Sequence, residues 1–119
     1  MNDHEKINYV EIPSKDLNLS KQFFTDVFAW SFTDYGPDYT AFSDEGINGG
    51  FFKSVLSSST DNGSALIVFY SSDIESTLAK IEAAGGKILK PIFSFPGGRR
   101  FHFNDLTDNE FAVWTDVST

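Results

Sequence analysis

Apolar residues follow a strand pattern and then a helix pattern in the first half of the chain. Residues 7–12 are apolar and β-prone, and Pro13 places this strand at a sheet edge or ends it. Asp16 suits a helix N-cap. After it, apolar side chains recur at helical spacing at Leu19, Phe23, Phe24, Val27 and Phe28. Turn residues then separate three short strands at 30–35, 39–43 and 49–55. The pattern predicts one strand, one helix and three more strands.

The second half repeats this order of elements after a polar segment at 57–64. That segment contains nothing that could pack, and it predicts a flexible connector. A strand at 65–70 leads to Asp73 as a second N-cap, and a helical stripe follows at Ile74, Leu78 and Ile81. Two glycines at 85–86 end the helix. Strands are predicted at 87–92, 100–104 and 111–115, with a tight turn at 105–109.

The two halves can be superimposed as an internal repeat of about fifty residues. Tyr9 lies seven residues before Asp16, and Leu66 lies seven residues before Asp73. Residues 41–44 match residues 102–105 in the same place within each half. The alternative is a chance likeness between two ordinary strand–helix segments. The repeat predicts one α+β domain over residues 1–119, with module one at 7–56, a connector at 57–64 and module two at 65–116.

Composition and charge narrow the possible functions. The chain has 13 Phe, 4 Tyr and 2 Trp, side chains that fill cores and also line ligand cavities. It has no Cys, so we expect no disulfide and no thiolate metal site. A net charge of −8 argues against nucleic acid as a partner. No apolar run is long enough for a membrane, and the N-terminus shows no secretory signal, which together predict a cytoplasmic protein.

Three segments together resemble one known family. They are Glu11 to Leu17 with the aromatic run that ends at Trp30, then residues 81–88 (IEAAGGKI), then residues 104–114 (NDLTDNEFAVW). In order and spacing they resemble the vicinal oxygen chelate superfamily, which includes glyoxalase I, bleomycin-resistance proteins and extradiol dioxygenases. The resemblance covers residues 7–116. The family turn usually carries a Gly where this chain has Asp108 or Asn109, either of which tolerates positive φ.

The resemblance implies a fold and an assembly. In the family, two tandem βαβββ modules form a curved eight-stranded cup with helices outside and the ligand or metal on the concave face. Single-chain members with two modules usually pair, so a homodimer is expected here. An open eight-stranded cup also leaves strand edges that pairing would cover.

The resemblance further implies four metal-ligand positions, and this chain does not fill them with ligands. They correspond to Tyr9, about Phe51, Leu66 and Ala112, none of which offers an imidazole or carboxylate. We therefore expect no metal and no other cofactor. This argues against glyoxalase I chemistry, thiol transfer to fosfomycin and extradiol cleavage. A new site built from His102 with Glu11 or Glu110 remains a weaker alternative.

Strand alternation predicts which side chains face the cup. The expected ligand-binding residues are Tyr9, Glu11, Phe51, Leu66, Val68, Tyr70, His102 and Trp114. A lining of this kind favours a small apolar or aromatic ligand. The alternative is that the same side chains close the cup and fill it.

His102 and Glu11 are the candidates for acid–base chemistry, although each has an ordinary structural interpretation. His102 could simply be hydrogen-bonded, and Glu11 could pair with Arg99 or Arg100. Residues 97–100 could form a cationic rim or merely the approach to a hairpin. The function predicted from the sequence is metal-free binding of a small molecule. The alternatives are a metal-independent lyase or isomerase that uses His102 and Glu11, and a partner-binding module with a filled cup.

Overall fold

The computed structural model describes residues 2–117 and shows two successive strand–helix–three-strand units. The first unit consists of β1 (Tyr9–Ser14), α1 (Leu17–Phe28), β2 (Phe32–Asp34), β3 (Tyr39–Phe42) and β4 (Asn48–Lys53). The second consists of β5 (Ile67–Tyr70), α2 (Ile74–Ala83), β6 (Lys87–Phe95), β7 (Gly98–Asn104) and β8 (Glu110–Thr115). The predicted order of elements and the α+β class are confirmed.

Each unit forms one four-stranded mixed sheet, and the two sheets have equivalent strand orders. The orders are β1-β4-β3-β2 and β5-β8-β7-β6. In both sheets the first and last strands of the unit pair in parallel, and the other pairs are antiparallel. The internal repeat of the sequence is therefore a repeat of structure.

Local sequence explains where both helices begin. The side chain of Asp16 accepts hydrogen bonds from the backbone N–H groups of Asn18 and Leu19, and Asp73 accepts one from Ser76. Helix α2 is followed by Gly85 at φ 93°. Helix α1 ends instead at Ala29, which takes the left-handed conformation at φ 59° without the help of a glycine.

One hydrophobic core joins the two units. The ring of Phe24 on α1 lies 5.4 Å from Phe51 of β4 and 5.3 Å from Phe111 of β8, between ring centroids. Phe23 stacks on Phe103 of β7. Leu19 was predicted to belong to the apolar stripe of α1 that enters this core, but it lies partly exposed on the solvent side of the helix. Most of the aromatic residues of the chain thus serve the core under the helices.

Strand β1 runs through Pro13 to Ser14 instead of stopping at the proline. Among the described strands it pairs with β4 alone, so it is an edge strand, where a missing N–H is tolerated. The carbonyl of Pro13 accepts a 2.6 Å hydrogen bond from the Asn109 side chain. This bond links the edge of the first sheet to the β7–β8 turn.

The polar segment 57–64 does not fit the expectation that nothing in it could pack. Ser57 donates to the carbonyl of Thr107, and the N–H of Ser58 donates to the Asn109 side chain. The N–H and hydroxyl of Thr60 both donate to Glu110. These hydrogen bonds tie the segment to the β7–β8 turn and to the start of β8, and composition alone does not reveal such partners.

The turn between β7 and β8 keeps its predicted shape. Asp108 occupies the positive-φ position at 67°, and Asp105 accepts hydrogen bonds from the N–H groups of Thr107 and Asn109. Burial raises the pKa of the Asp105 carboxyl, and the hydrogen bonds that it accepts oppose this shift.

Among residues 2–117, neither helix has the length and hydrophobicity needed to cross a bilayer.

Candidate functional site

Each sheet has one face in the shared core and a second face, here called the outer face, that points away from it. On β8, Phe111 and Val113 enter the core, whereas Glu110, Ala112 and Trp114 lie on the outer face. On β5, Val68 and Tyr70 lie on the outer face and are 42% and 53% exposed. The outer faces are where sequence alternation placed the cup lining. Val68 and Tyr70 are exposed there, whereas Glu110 and Ala112 are buried.

A row of four side chains crosses the outer face of the second sheet. Strand pairing sets Tyr70 opposite Trp114, Trp114 opposite Arg100, and Arg100 opposite Phe93. The rings of Tyr70 and Trp114 meet edge to face at 5.4 Å, and Phe95 lies 6.4 Å from Trp114. The row therefore holds one guanidinium among aromatic side chains.

His102 lies next to this row and both of its ring nitrogens have partners. Nδ1 is 2.7 Å from Oε2 of Glu110, and Nε2 is 3.0 Å from Nη2 of Arg100. The Arg100 guanidinium can only donate, so Nε2 accepts, and the ring proton sits on Nδ1 facing the carboxylate. The geometry selects the neutral imidazole with one defined tautomer.

Glu110 is the buried end of the hydrogen-bonded series that runs from Arg100 through His102. Its side chain is buried at 6% exposure, and Oε1 accepts hydrogen bonds from the N–H and hydroxyl of Thr60 at 2.8 and 2.9 Å. Burial on its own would raise the pKa of Glu110, but the hydrogen bonds from His102 and Thr60 outweigh it and hold the pKa below its usual range. Glu110 therefore stays ionised and fixes the orientation of His102.

The outer face of the first sheet carries a smaller polar group centred on Tyr39. The hydroxyls of Tyr39 and Tyr9 are 2.5 Å apart. Removal from solvent, together with Tyr9 and the Glu11 carboxylate beside it, raises the pKa of Tyr39 well above its usual range. The Tyr39 ring covers Gly50, where an added Cβ would collide with it. A larger residue at this position would have to displace the end of the Tyr39 side chain.

The prediction that Phe51 lines the cup is wrong, because Phe51 lies on the core face of the first sheet. It is fully buried in the core against Phe24, because β4 alternates so that Gly50 and Phe52 face outward. Pairing gives the same result: Gly50 lies opposite Glu11 as Ala112 lies opposite Val68. The counterpart of Ala112 in the first unit is therefore Gly50.

With this correction the four positions implied by the family resemblance hold Tyr9, Gly50, Leu66 and Ala112. None of these side chains has a donor that suits a divalent transition metal. Within residues 2–117 there is also no group of three or more His, Cys, Asp or Glu side chains arranged to hold an ion. The residues present do not fit the metal that the resemblance implies.

His102 and Glu11 do not form a pair in the structure. His102 is on β7 of the second sheet with Arg100 and Glu110, whereas Glu11 is on β1 of the first sheet near Tyr39. Glu11 does not pair with either arginine among the described residues: Arg99 binds Glu75 at 2.6 Å and Arg100 binds His102.

Tyr39 was missed by sequence reasoning, Arg100 was weighed only as part of a cationic rim or as a partner of Glu11, and Glu110 was weighed as a metal ligand. Two-residue alternation from His102 would have placed Arg100 on the same outer face. Tyr39 could not be found in this way, because its contacts with Tyr9 and Gly50 depend on the pairing of three strands.

A cleft of about 450 Å³ opens between β1 and β5. Val68 and Tyr70 line it on one side, and apolar side chains of the core form its walls: Val10, Ile12, Trp30, Phe42, Ile67, Phe69 and Phe111. Its volume lies in the range of small-molecule sites. Glu45 also lines the cleft, and removal from solvent and the neighbouring Asp44 raise its pKa.

Comparison with protein families gives a match over most of the chain. The model of the Glyoxalase/Bleomycin resistance protein/Dioxygenase superfamily matches residues 6–113. No curated protein matches the sequence.

Solved structures show the same fold at low sequence identity. The chain is similar to a glyoxalase/bleomycin resistance protein/dioxygenase family enzyme from Burkholderia phytofirmans PsJN, with 15% identity, a TM-score of 0.77 and coverage of 92% of this chain and 98% of that one. It is also similar to the E126Q mutant of the fosfomycin resistance protein FosX from Listeria monocytogenes, solved with Mn(II) and 1S,2S-dihydroxypropylphosphonic acid, with 20% identity, a TM-score of 0.75 and coverage of 92% and 89%. A lactoylglutathione lyase from Agrobacterium tumefaciens has 17% identity, a TM-score of 0.70 and 96% coverage of both chains.

Proposed function

Because the chain belongs to the glyoxalase/bleomycin resistance protein/dioxygenase superfamily, we propose that it binds a small, partly aromatic molecule on its outer sheet faces without a metal ion. The observation that carries this proposal is the outer row of Tyr70, Trp114 and Phe93, set beside the buried polar pair of His102 and Glu110. Small-molecule sites combine apolar walls with a few fixed polar groups in this way.

The chemistry of the family's metal positions supports binding without a metal. Tyr9, Gly50, Leu66 and Ala112 cannot supply the imidazole and carboxylate ligands on which the metal enzymes rely. Elemental analysis of the purified protein should accordingly find no stoichiometric Zn, Ni, Mn or Fe. About one ion per chain would contradict the proposal.

We propose that the binding form is a cytoplasmic homodimer. Its support is that both outer faces carry exposed apolar side chains that the chain itself does not cover, among them Tyr9, Phe52, Val68 and Tyr70. Pairing two chains through these faces would bury them and enclose a ligand between them. The lack of cysteine agrees with a reducing compartment.

The runner-up is a metal-independent lyase or isomerase. The carboxylate behind His102 is an arrangement that orients catalytic histidines. However, the lone pair on Nε2 of His102, which would take a proton, faces the guanidinium of Arg100. Glu11 belongs to the separate polar group centred on Tyr39. A ligand-dependent reaction that His102→Gln abolishes while binding is unchanged would favour the enzyme over the binding protein.

The binding proposal is tested by comparing one outer-face aromatic residue with one core aromatic residue. Ligands are first found by ligand-observed NMR with a library of small aromatic compounds. Trp114→Ala should then weaken binding by about 1–3 kcal/mol and melt near the wild-type temperature. Phe111→Ala, which opens a cavity in the shared core, should lower stability by about 3–5 kcal/mol. If both variants unfold, Trp114 is a core residue and the outer-face site is wrong.

A further inference from the structure

Arg100 is a half-buried cation on β7 that forms no salt bridge with a carboxylate among residues 2–117. Its neighbour Arg99, on the opposite face of β7, binds Glu75 and the backbone carbonyl of Val117. Arg100 instead donates one hydrogen bond from Nη2 to the neutral His102 ring. Its Nε is buried and has no hydrogen-bond partner among the described residues.

A buried donor without a partner is costly, and a guanidinium is the side chain best shaped to bind a carboxylate through two parallel hydrogen bonds. The carboxylate of Glu110 does not meet this need, because it is engaged by Thr60 and by Nδ1 of His102. Because Nε is buried, the terminal nitrogens of the Arg100 guanidinium are the donors that a bound anion would meet.

The surroundings of Arg100 restrict the shape of such an anion. Trp114 lies opposite it on one side and Phe93 on the other, and Tyr70 extends the row beyond Trp114. The Phe93 ring stacks on His102 with centroids 6.1 Å apart. Aromatic side chains on both neighbouring strands of a cation favour a planar molecule that ends in a negative group. Lys90 lies opposite His102 on β6 and adds a second positive charge nearby.

We propose that the second outer face binds a planar aromatic carboxylate, with Arg100 holding the carboxylate and Trp114 and Phe93 contacting the ring. This assignment rests on the proposed function and adds the chemical class of the ligand. His102 is a positioning residue in it, because its hydrogen bonds fix the guanidinium relative to the buried Glu110.

The test uses three compounds with the same ring and different charge: cinnamate, cinnamamide and cinnamylammonium. Their affinities for the full chain are measured by isothermal titration calorimetry near neutral pH and at low salt. Cinnamate should bind roughly tenfold more tightly than the other two, since only its carboxylate can form an ion pair with Arg100 through two parallel hydrogen bonds. The preference should shrink as salt is added.

Substitutions at the two adjacent arginines supply the matched control. Arg100→Gln should reduce cinnamate affinity to that of cinnamamide and leave cinnamamide nearly unchanged. Arg99→Gln, on the opposite face, should keep the full preference. Arg100→Lys retains the charge and should keep part of the preference, which keeps the test decisive even if Arg100→Gln folds poorly.

Two outcomes would overturn the assignment. Equal binding of all three compounds would show that the face binds aromatic molecules regardless of their charge. A preference that survives Arg100→Gln would show that a group other than Arg100 selects the carboxylate. In both cases the proposed function would stand. If none of the three binds saturably, the aromatic carboxylate class is wrong, and the compound screen with Trp114→Ala then decides the proposed function separately.

Discussion

At the scale of single residues, Glu110 gives the molecule a defined pH dependence. Its folded-state pKa lies below its usual value of 4.5 because hydrogen bonds from His102 and Thr60 outweigh burial. A carboxyl with a lowered pKa contributes stability that is complete above its unfolded pKa and is lost as pH falls through the folded pKa. The pKa of Asp105 is raised in the folded state, so its contribution to the free energy of unfolding changes with pH in the opposite direction.

We expect Glu110→Gln to flatten the acid limb of the stability curve. Near neutral pH the variant should be less stable by about 1–3 kcal/mol, because an amide cannot accept hydrogen bonds on both sides as the carboxylate does. The gap should narrow as pH falls below 4.5. Urea denaturation at a series of pH values measures this.

Glu82→Gln is the control for that experiment, since Glu82 is an exposed side chain on α2. Its stability curve should run parallel to that of the wild type. A Glu110→Gln curve that also runs parallel would show that the hydrogen bonds to His102 and Thr60 do not favour the ionised form.

At the scale of elements, Asn109 joins three separate pieces of the fold. Its Nδ2 donates to the carbonyl of Pro13 in β1 at 2.6 Å, and its Oδ1 accepts from the N–H of Ser58 at 2.8 Å. The side chain is fully buried beside Asp105 in the β7–β8 turn. One amide thus holds the first sheet, the 57–64 segment and the second sheet together.

Asn109→Ala should therefore lower the free energy of unfolding by about 1–3 kcal/mol, because it leaves the half-buried carbonyl of Pro13 and the half-buried N–H of Ser58 without this partner. Asn18→Ala, an exposed position in the first turn of α1, should change it by less than about 0.5 kcal/mol. Chemical denaturation compares the two. Equal small effects would mean that water replaces the lost hydrogen bonds.

The elements themselves were largely predictable from the sequence, since caps, turns and apolar periodicity are local signals. Asp16, Asp73 and Gly85 lie where the pattern placed the helix ends. The β4 register was not predictable, because its run of Gly49, Gly50 and two phenylalanines has no polar residue to mark the outer face. The assignment of Phe51 to the cup failed for this reason.

The candidate site was predictable only in part. Alternation on β5 and β8 placed Val68, Tyr70 and Trp114 on the outer face, where they lie. The link from Arg100 through His102 to Glu110 and Thr60 depends on contacts across β7, β8 and the 57–64 segment. Contacts between elements that are distant in sequence leave no local signal.

At the scale of the whole molecule, the exposed apolar side chains of the outer faces bear on the oligomeric state. A stable dimer buries about 800 Å² on each partner, a modest share of the 7138 Å² surface of this chain. The exposed Tyr9, Phe52, Val68 and Tyr70 lie on these faces. A free monomer would leave these apolar side chains in water, which is uncommon for so small a domain.

We therefore expect light scattering at micromolar concentration to give twice the 13.3 kDa mass of one chain. Val68→Lys places a charge on an outer face and should shift the mass toward the monomer, because burying an unpaired ammonium is costly. Leu19→Lys is the matched control: Leu19 is similarly exposed, at 37% against 42% for Val68, but it lies on α1. This variant should remain a dimer. A monomeric wild type would mean that the outer faces are open to solvent, and a ligand would then have to be held by one sheet alone. If Leu19→Lys dissociates and Val68→Lys does not, the chains pair through their helices.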